Sequence, residues 1–383
     1  MSDGARLARV ALSHVIEPGH PGLWDAVTRL GPEQVWALVR QGRPQQWLSG
    51  RLTEGARLRA DGYDPQADLD RLEACGGRLL CPGDADWPSE RLLWPTEDLA
   101  VAPPLVLYAR GPGALAHAVE RSVAVVGARA ATAYGAHVAG ELGLGLAARG
   151  CAVISGGAYG IDAAAHAGAL NAQGAPTLAV LACGIDIAYP RGNDRLLERI
   201  AESGLVLSEL PPGASPTRAR FLVRNRLIAA LSLGTVVVEA ALRSGSLATA
   251  GRARDLDRHV MAVPGPITSA MSAGAHAELR RPGTVCVTSA AEVLDTIGRL
   301  GEDGVGSPRA PEQARDALDA SVRAVLEAVP VGPPAGEATI ARTAGVSVLL
   351  AQQALPALLV AGLVDRADGG WRLTALGLGR PAR

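Results

Sequence analysis

The chain has a single phenylalanine, Phe221, and it stands in the run RARFLVRNRLIAALSLGTVVVEAALRSGSLATA, residues 218–250. Around it are Arg218, Arg220, Arg224 and Arg226, with Asn225 between the last two. From Arg218 to Arg258 eight arginines face only three acids, Glu239, Asp255 and Asp257. The formal net charge of the whole chain is −1, so any site for a polyanion has to be a local concentration of this kind. An aromatic ring among guanidinium groups suits a single nucleic-acid strand, whose bases stack on the ring while the arginines hold phosphates. A core anchor beneath a solvated arginine face would give the same pattern, and the residues alone leave both readings open.

Two glycine-rich turns offer a second chemistry. Gly127-Ala128-Arg129 ends an apolar run, and Ser155-Gly156-Gly157-Ala158-Tyr159-Gly160 ends another. At the carboxyl ends of parallel strands such turns let phosphates approach free backbone amides, with Arg129 supplying charge. They also serve simply as tight strand-to-helix connections. Neither turn matches G-x-G-x-x-G, which argues against a nicotinamide cofactor. Ser244, Ser246 and Thr249 in SGSLATA are placed to cap a helix or to meet a phosphate at its start. Glu239 could act as a catalytic carboxylate or orient an arginine such as Arg224 or Arg226.

The seven histidines show no H-x-x-x-H or H-E-x-x-H spacing, and no Ser/His/Asp arrangement emerges. The five cysteines, Cys75, Cys81, Cys151, Cys183 and Cys286, are scattered without a C-x-x-C pair. They read as reduced, mostly buried thiols, not as a disulfide framework or a zinc site. No cofactor and no metal are expected. The first residues lack an apolar signal core, and no unbroken apolar run is long enough to span a membrane, which predicts a cytoplasmic chain with no membrane partner.

The elements that must position these residues follow from periodicity. Residues 1–72 read as a helical domain: GLWDAVTRL, PEQVWALVRQ and PQADLDRLEAC carry apolar residues at helical spacing between Gly and Pro breaks. Residues 73–300 change pattern. SVAVVGA, CAVIS, TLAVLAC, GTVVVEA and HVMAVPG read as buried strands, separated by helices over Tyr134–Arg149, AAAHAGALNAQG, Phe221–Leu231 and the stretch from Ser246. That alternation predicts an α/β domain with a doubly wound, mostly parallel sheet. Residues 301–316, rich in Gly and Pro, read as a linker. In 317–383, helices over Leu318–Val329, Glu337–Ala344 and Val348–Ala361 precede two short strands, the pattern of a winged helix, with Ser347 as cap. Pro356 falls inside the third helix and should kink it. All 37 basic residues are arginine, which fits a GC-rich coding bias.

The runs VAVVGARAATAYG, VISGGAYGIDAAAH, AYPRGNDRLLERI, GLVLSELPPG, FLVRNRLIAALS, VVVEAALRSGSLATA and HVMAVPG together resemble the bacterial DNA-processing protein A family, DprA or Smf, in order and spacing. The resemblance spans about Gly76 to Asp295. It implies an extended Rossmann-like domain that forms a homodimer, binds single-stranded DNA with little sequence preference and helps load the RecA recombinase in natural transformation or recombination. It also implies a sterile-alpha-motif-like or helix-hairpin-like amino-terminal region and a carboxyl-terminal winged helix. Carried over residue by residue, the DNA pocket comprises Arg129, Ser155, Gly156, Gly157, Tyr159, Phe221, Arg224, Asn225, Arg226, Ser246, Thr249 and Arg258. Three positions depart from the usual pattern: Ala128 replaces a serine, Tyr159 an arginine and His276 an asparagine. The recognition helix VLLAQQALPALLVAG has no basic residue, which points to protein contacts instead of DNA reading. The alternative function is that of a phosphoribohydrolase-like enzyme on a related fold. It is disfavoured because LSLGTVVVE lacks the paired glycines of the PGGxGT run that precedes the carboxylate in such enzymes.

Overall fold

The computed structural model describes residues 2–43, 47–94, 101–298 and 317–378. The expected linker, 301–316, lies outside them. Contacts divide the chain into two compact units, one through residue 305 and one from 306.

The first unit opens with five helices: α1 (Asp3–Val15), α2 (Pro21–Leu30), α3 (Pro32–Arg40), α4 (Gly50–Ala60) and α5 (Pro65–Ala74). Leu12, Val15, Leu23, Val27, Val35 and Val39 form their shared core. Arg6, bonded to Asp84 at 2.7 Å, and Ser13, bonded to Tyr108 at 2.9 Å, anchor the first of these helices on the α/β part of the unit.

That part consists of β1 (Gly77–Leu80), β2 (Leu107–Arg110), α6 (Leu115–Glu120), β3 (Ser122–Val126), α7 (Ala133–Ala147), β4 (Ala152–Ser155), α8 (Ile161–Leu170), β5 (Thr177–Val180), α9 (Asp194–Ser203) and β6 (Leu205–Ser208). It continues with α10 (Arg218–Ala230), β7 (Gly234–Val237), α11 (Gly245–Asp255), β8 (His259–Ala262), α12 (Ala273–Leu279), β9 (Thr284–Cys286) and α13 (Ala290–Ile297).

The nine strands form one sheet in the order β1-β2-β6-β5-β4-β3-β7-β8-β9. Pairing is parallel from β6 across to β9, and antiparallel only at β1/β2 and β2/β6. The central strands are continuous Val, Ile, Leu and Ala because helices cover both faces. Chain order runs outward from β3 through β4, β5 and β6, then returns to place β7 on the other side of β3. This reversal is the topological switch point, and the crevice outside the carboxyl ends of β3 and β7 is where such sheets bind ligands.

In the second unit α14 (Ala320–Glu327), α15 (Glu337–Ala344) and α16 (Val348–Val360) precede a hairpin of β10 (Val364–Ala367) and β11 (Gly370–Leu373). Ala335 bridges to Trp371 as a further rung. α15 and α16 cross at 105°, within the range of helix-turn-helix pairs. Ser347 caps α16 by accepting from the Leu350 amide at 3.2 Å. Pro356 lies inside α16, which continues past it as one helix to Val360. Both Pro356 and Gln352 are exposed, so the carbonyl that loses its amide partner is open to water. No single helix among the described residues is long and apolar enough to cross a membrane.

Candidate nucleic-acid interface

A cleft of about 870 Å3 opens at the switch point. Its walls come from the loops after β3, β4, β5, β6, β7 and β8, so each is a carboxyl-end connection. Helix α10 forms one side. Thr217 caps it by accepting from the Arg220 amide, and its later turns, Leu227 to Ala230, are buried in the sheet core. With that end fixed, the first two turns project over the cleft.

Phe221 is half-buried on this ledge. The Arg129 guanidinium lies 4.9 Å and that of Arg224 5.8 Å from its ring centroid. Tyr189, from the segment after β5, meets it at 5.6 Å between centroids with the rings tilted by 49°. Arg129, Arg218 and Arg243 line the cleft, are exposed and have no carboxylate partner among the described residues. The site therefore combines a pair of aromatic rings with three free guanidinium groups.

Four of the expected contacts are committed inside the protein. The Arg224 side chain is 7% exposed and its Nη1 donates to the Gly156 carbonyl at 2.9 Å and to the Val180 carbonyl. Burial lowers this guanidinium from its ordinary value to about 10, against the pull of Asp162. Gly156 is glycine because a Cβ there would sit 2.6 Å from Arg224 Nη2. The phosphate cradle expected at Ser155–Gly157 is already filled: the Gly156 and Ala158 amides donate to Asp162 Oδ2 at 3.1 and 3.4 Å. Burial pushes that carboxyl up, opposed by Arg224 and the two amides. Ser155 donates to the Val125 carbonyl at 2.6 Å and is wholly buried. Gly157 accepts from Asn193 at 3.0 Å through its carbonyl. These bonds make the turn a support for Arg224 and α8, and Ala158, Asp162 and Arg224 reach the cleft wall.

Asn225 lines the cleft and donates to the Gly245 carbonyl at 3.2 Å, tying α10 to the start of α11. Ser244 caps that helix through the Ser246 amide, while Ser246 and Thr249 sit nearly buried in the cleft wall.

Three residues lie elsewhere. Arg226 is 2% exposed and donates through Nη2 to both oxygens of Glu209 at 2.8 and 2.6 Å, with its guanidinium over the Trp94 ring. On a helix it points away from Phe221, because five residues turn the face by about 140°. Tyr159 is exposed but turns from the cleft, its hydroxyl accepting from the Gly192 amide at 3.1 Å. Arg258 precedes β8 and so stands at the amino end of the sheet, about 13 Å of strand from the crevice. Glu239 orients neither arginine. It is 1% exposed and accepts from the Thr132 amide at 2.9 Å and hydroxyl at 2.6 Å, at the start of α7.

Sequence reasoning missed Tyr189; Arg218 stood in the arginine cluster read around Phe221 but, like Arg243, outside the pocket carried over from the family. Tyr189 carried a signal, because aromatic residues are only 3% of the chain and it lies in AYPRGNDRLLERI.

Residues 78–298 match the family described as DNA recombination-mediator protein A. A Mycobacterium tuberculosis chain named for DNA processing protein DprA is 46% identical over 390 residues, covering 100% of this chain and 98% of its own length. The DNA processing protein DprA of Streptococcus pneumoniae is 42% identical over 201 residues, 52% of this chain and 69% of its own. The X-ray structure of that Streptococcus pneumoniae protein aligns with TM-score 0.62 at 30% identity, covering 76% of this chain and 97% of that one.

Proposed function

Because the chain belongs to the DNA recombination-mediator protein A family, we propose that it binds single-stranded DNA in the cleft between β3 and β7 and passes the strand to a recombinase. Its role is DNA processing in recombination. The observation that carries the strand reading is the Tyr189–Phe221 ring pair beside Arg129, Arg218 and Arg243. Bases of any identity have a face to stack, and unpaired guanidinium groups hold the backbone without reading sequence. A duplex has its bases stacked inside and offers nothing to the rings.

Binding without covalent chemistry is the favoured reading because Glu239, the carboxylate that the hydrolase reading would use, is buried and bonded to Thr132. The partner we propose is the RecA recombinase, with the chain acting as a homodimer in the cytoplasm, during natural transformation or other recombination. Family membership supports these last points.

The test is fluorescence anisotropy with labelled oligo-dT and a matching duplex at two salt concentrations. Wild type should prefer the single strand, and the preference should weaken with salt. Phe221→Ala should lose about 1–3 kcal/mol of affinity if a base stacks there. Arg129→Ala should lower the salt slope by about 0.7 for one lost phosphate contact. Equal binding of strand and duplex would overturn the proposal.

A further inference from the structure

A second cavity, about 300 Å3, lies on the other side of the same ridge. Ser215 and Arg220 line it, while their neighbours Pro216, Thr217, Arg218 and Phe221 line the cleft. The remaining wall comes from residues 210–214 after β6, from the end of α1 and residues 16–18 that follow it, from Arg59 of α4 and from Arg71 of α5.

The polar groups there are built, not incidental. His14 lines the cavity, and its Nδ1 lies 3.0 Å from Oδ2 of Asp68, a carboxylate only 1% exposed. Asp68 Oδ2 also accepts from the Tyr63 hydroxyl at 2.6 Å, and the Tyr63 ring stacks on His14 at 4.1 Å. The imidazole is thus fixed by a carboxylate and by a ring. Its Nε2 has no partner among the described residues. Arg59 spends only Nε, on the Val15 carbonyl at 2.7 Å, and Arg71 only Nη1, at 3.5 Å from Asp68. Glu17 is the one acid in the wall and pairs with Arg220 at 2.7 Å. Two guanidinium groups therefore keep free donor capacity toward one small space, beside an imidazole of fixed orientation.

We infer that this cavity is a second phosphate-binding subsite, set to take the sugar–phosphate backbone of a strand that leaves the cleft across the 215–221 ridge. Planar guanidinium forks suit phosphate oxygens. Asp68 and Tyr63 hold the His14 ring so that Nε2 is the nitrogen left without a partner among the described residues. Arg220 connects the two sites, since its helix lines both. The strand assignment rests on the cleft reading. The phosphate chemistry of the cavity does not, and a free nucleotide would meet the same donors.

The experiment uses the full chain as wild type, Arg71→Glu and His14→Gln. Anisotropy is measured with oligo-dT from about 5 to about 20 nucleotides. In parallel, Tm is recorded with inorganic phosphate and with dTMP. Short strands that fill only the cleft should bind all three proteins alike. Long strands should bind Arg71→Glu several-fold more weakly, with the salt slope lower by about 0.7 per lost contact. Arg71 is exposed and leaves Asp68 with two other donors, so this variant should keep the wild-type Tm and decides the matter even if His14→Gln unfolds.

If long strands bind Arg71→Glu normally but it no longer gains Tm from phosphate or dTMP, the site takes a free phosphate and the strand path is wrong. If neither strand length nor added phosphate separates the variants from wild type, the inference is overturned. A wild type that gains Tm from dTMP but binds no single strand would sink the cleft reading and leave this site standing.

Discussion

Helix α10 carries Arg218, Arg220, Arg224 and Arg226 within nine residues, and each has a different surrounding. Arg218 is exposed at the cleft, Arg220 reaches Glu17 on the amino-terminal helices, Arg224 lies beneath Gly156, and Arg226 is sealed against Glu209. The cluster was legible in the sequence, and so was the placement of Phe221 beside it. Which arginines stay free was not, because that depends on carboxylates and carbonyls far along the chain. The glycine-rich turn misled for a similar reason: Asp162, six residues after Gly156, supplies from within the anion that the amides would otherwise take from a ligand. A prediction separates the two roles. Arg226→Ala strands Glu209 as a buried charge and should cost about 3–5 kcal/mol in urea unfolding. Strand affinity per folded molecule should stay within about twofold of wild type. A large affinity loss with unchanged stability would return Arg226 to the DNA contacts.

At the scale of elements, the five sheet strands read from sequence are buried along nearly all their length, where apolar residues run unbroken. The edge strands β1 and β9 escaped, being three or four residues long and partly exposed, and so did β2 and β6. Helices α1 and α4 escaped as well. The density of Arg and Gly in GRLTEGARLRA blurs its helical period, although Thr53, Ala56 and Ala60 face inward. What joins the elements is also testable. His166 of α8 donates through Nδ1 to the Thr177 hydroxyl on β5 at 2.7 Å, because that hydroxyl spends its own hydrogen on the Val153 carbonyl. Its Nε2 is buried without a partner. Burial lowers the imidazole from its ordinary value to about 3, with Arg224 adding to the shift. The folded state refuses a proton that the unfolded chain accepts, so this contribution is complete above about pH 6.5 and shrinks as pH falls toward 3. Each pH unit in that window should remove up to about 1.4 kcal/mol. His166→Gln, which does not titrate, should show a flatter stability profile between pH 7 and pH 5 in urea unfolding. Parallel slopes for the two proteins would mean that His166 takes up no proton on unfolding.

Over the whole molecule, a net charge of −1 means that attraction for a polyanion is confined to where arginines are left unpaired. In the first unit that place is the cleft and, with it, the ridge of α10. The second unit has no comparable place. Across 306–383 eight arginines and seven acids nearly balance. Helix α16 has no charged residue, and Val348, Leu349, Leu359 and Val360 on it are exposed. An apolar helix surface of this kind gains nothing from phosphate contacts. The buried clusters also divide cleanly: those of the first unit draw on residues up to Leu294, and that of the second begins at Val325. Removing residues 305–383 should therefore leave the first unit folded, with affinity for oligo-dT within about twofold of the full chain and an unchanged salt slope. A tenfold loss together with a smaller slope would mean that the second unit supplies phosphate contacts despite that balance, and the strand path would then have to include it. A loss of Tm without a loss of slope would mean instead that the second unit supports the fold of the first, leaving the phosphate contacts within the first unit.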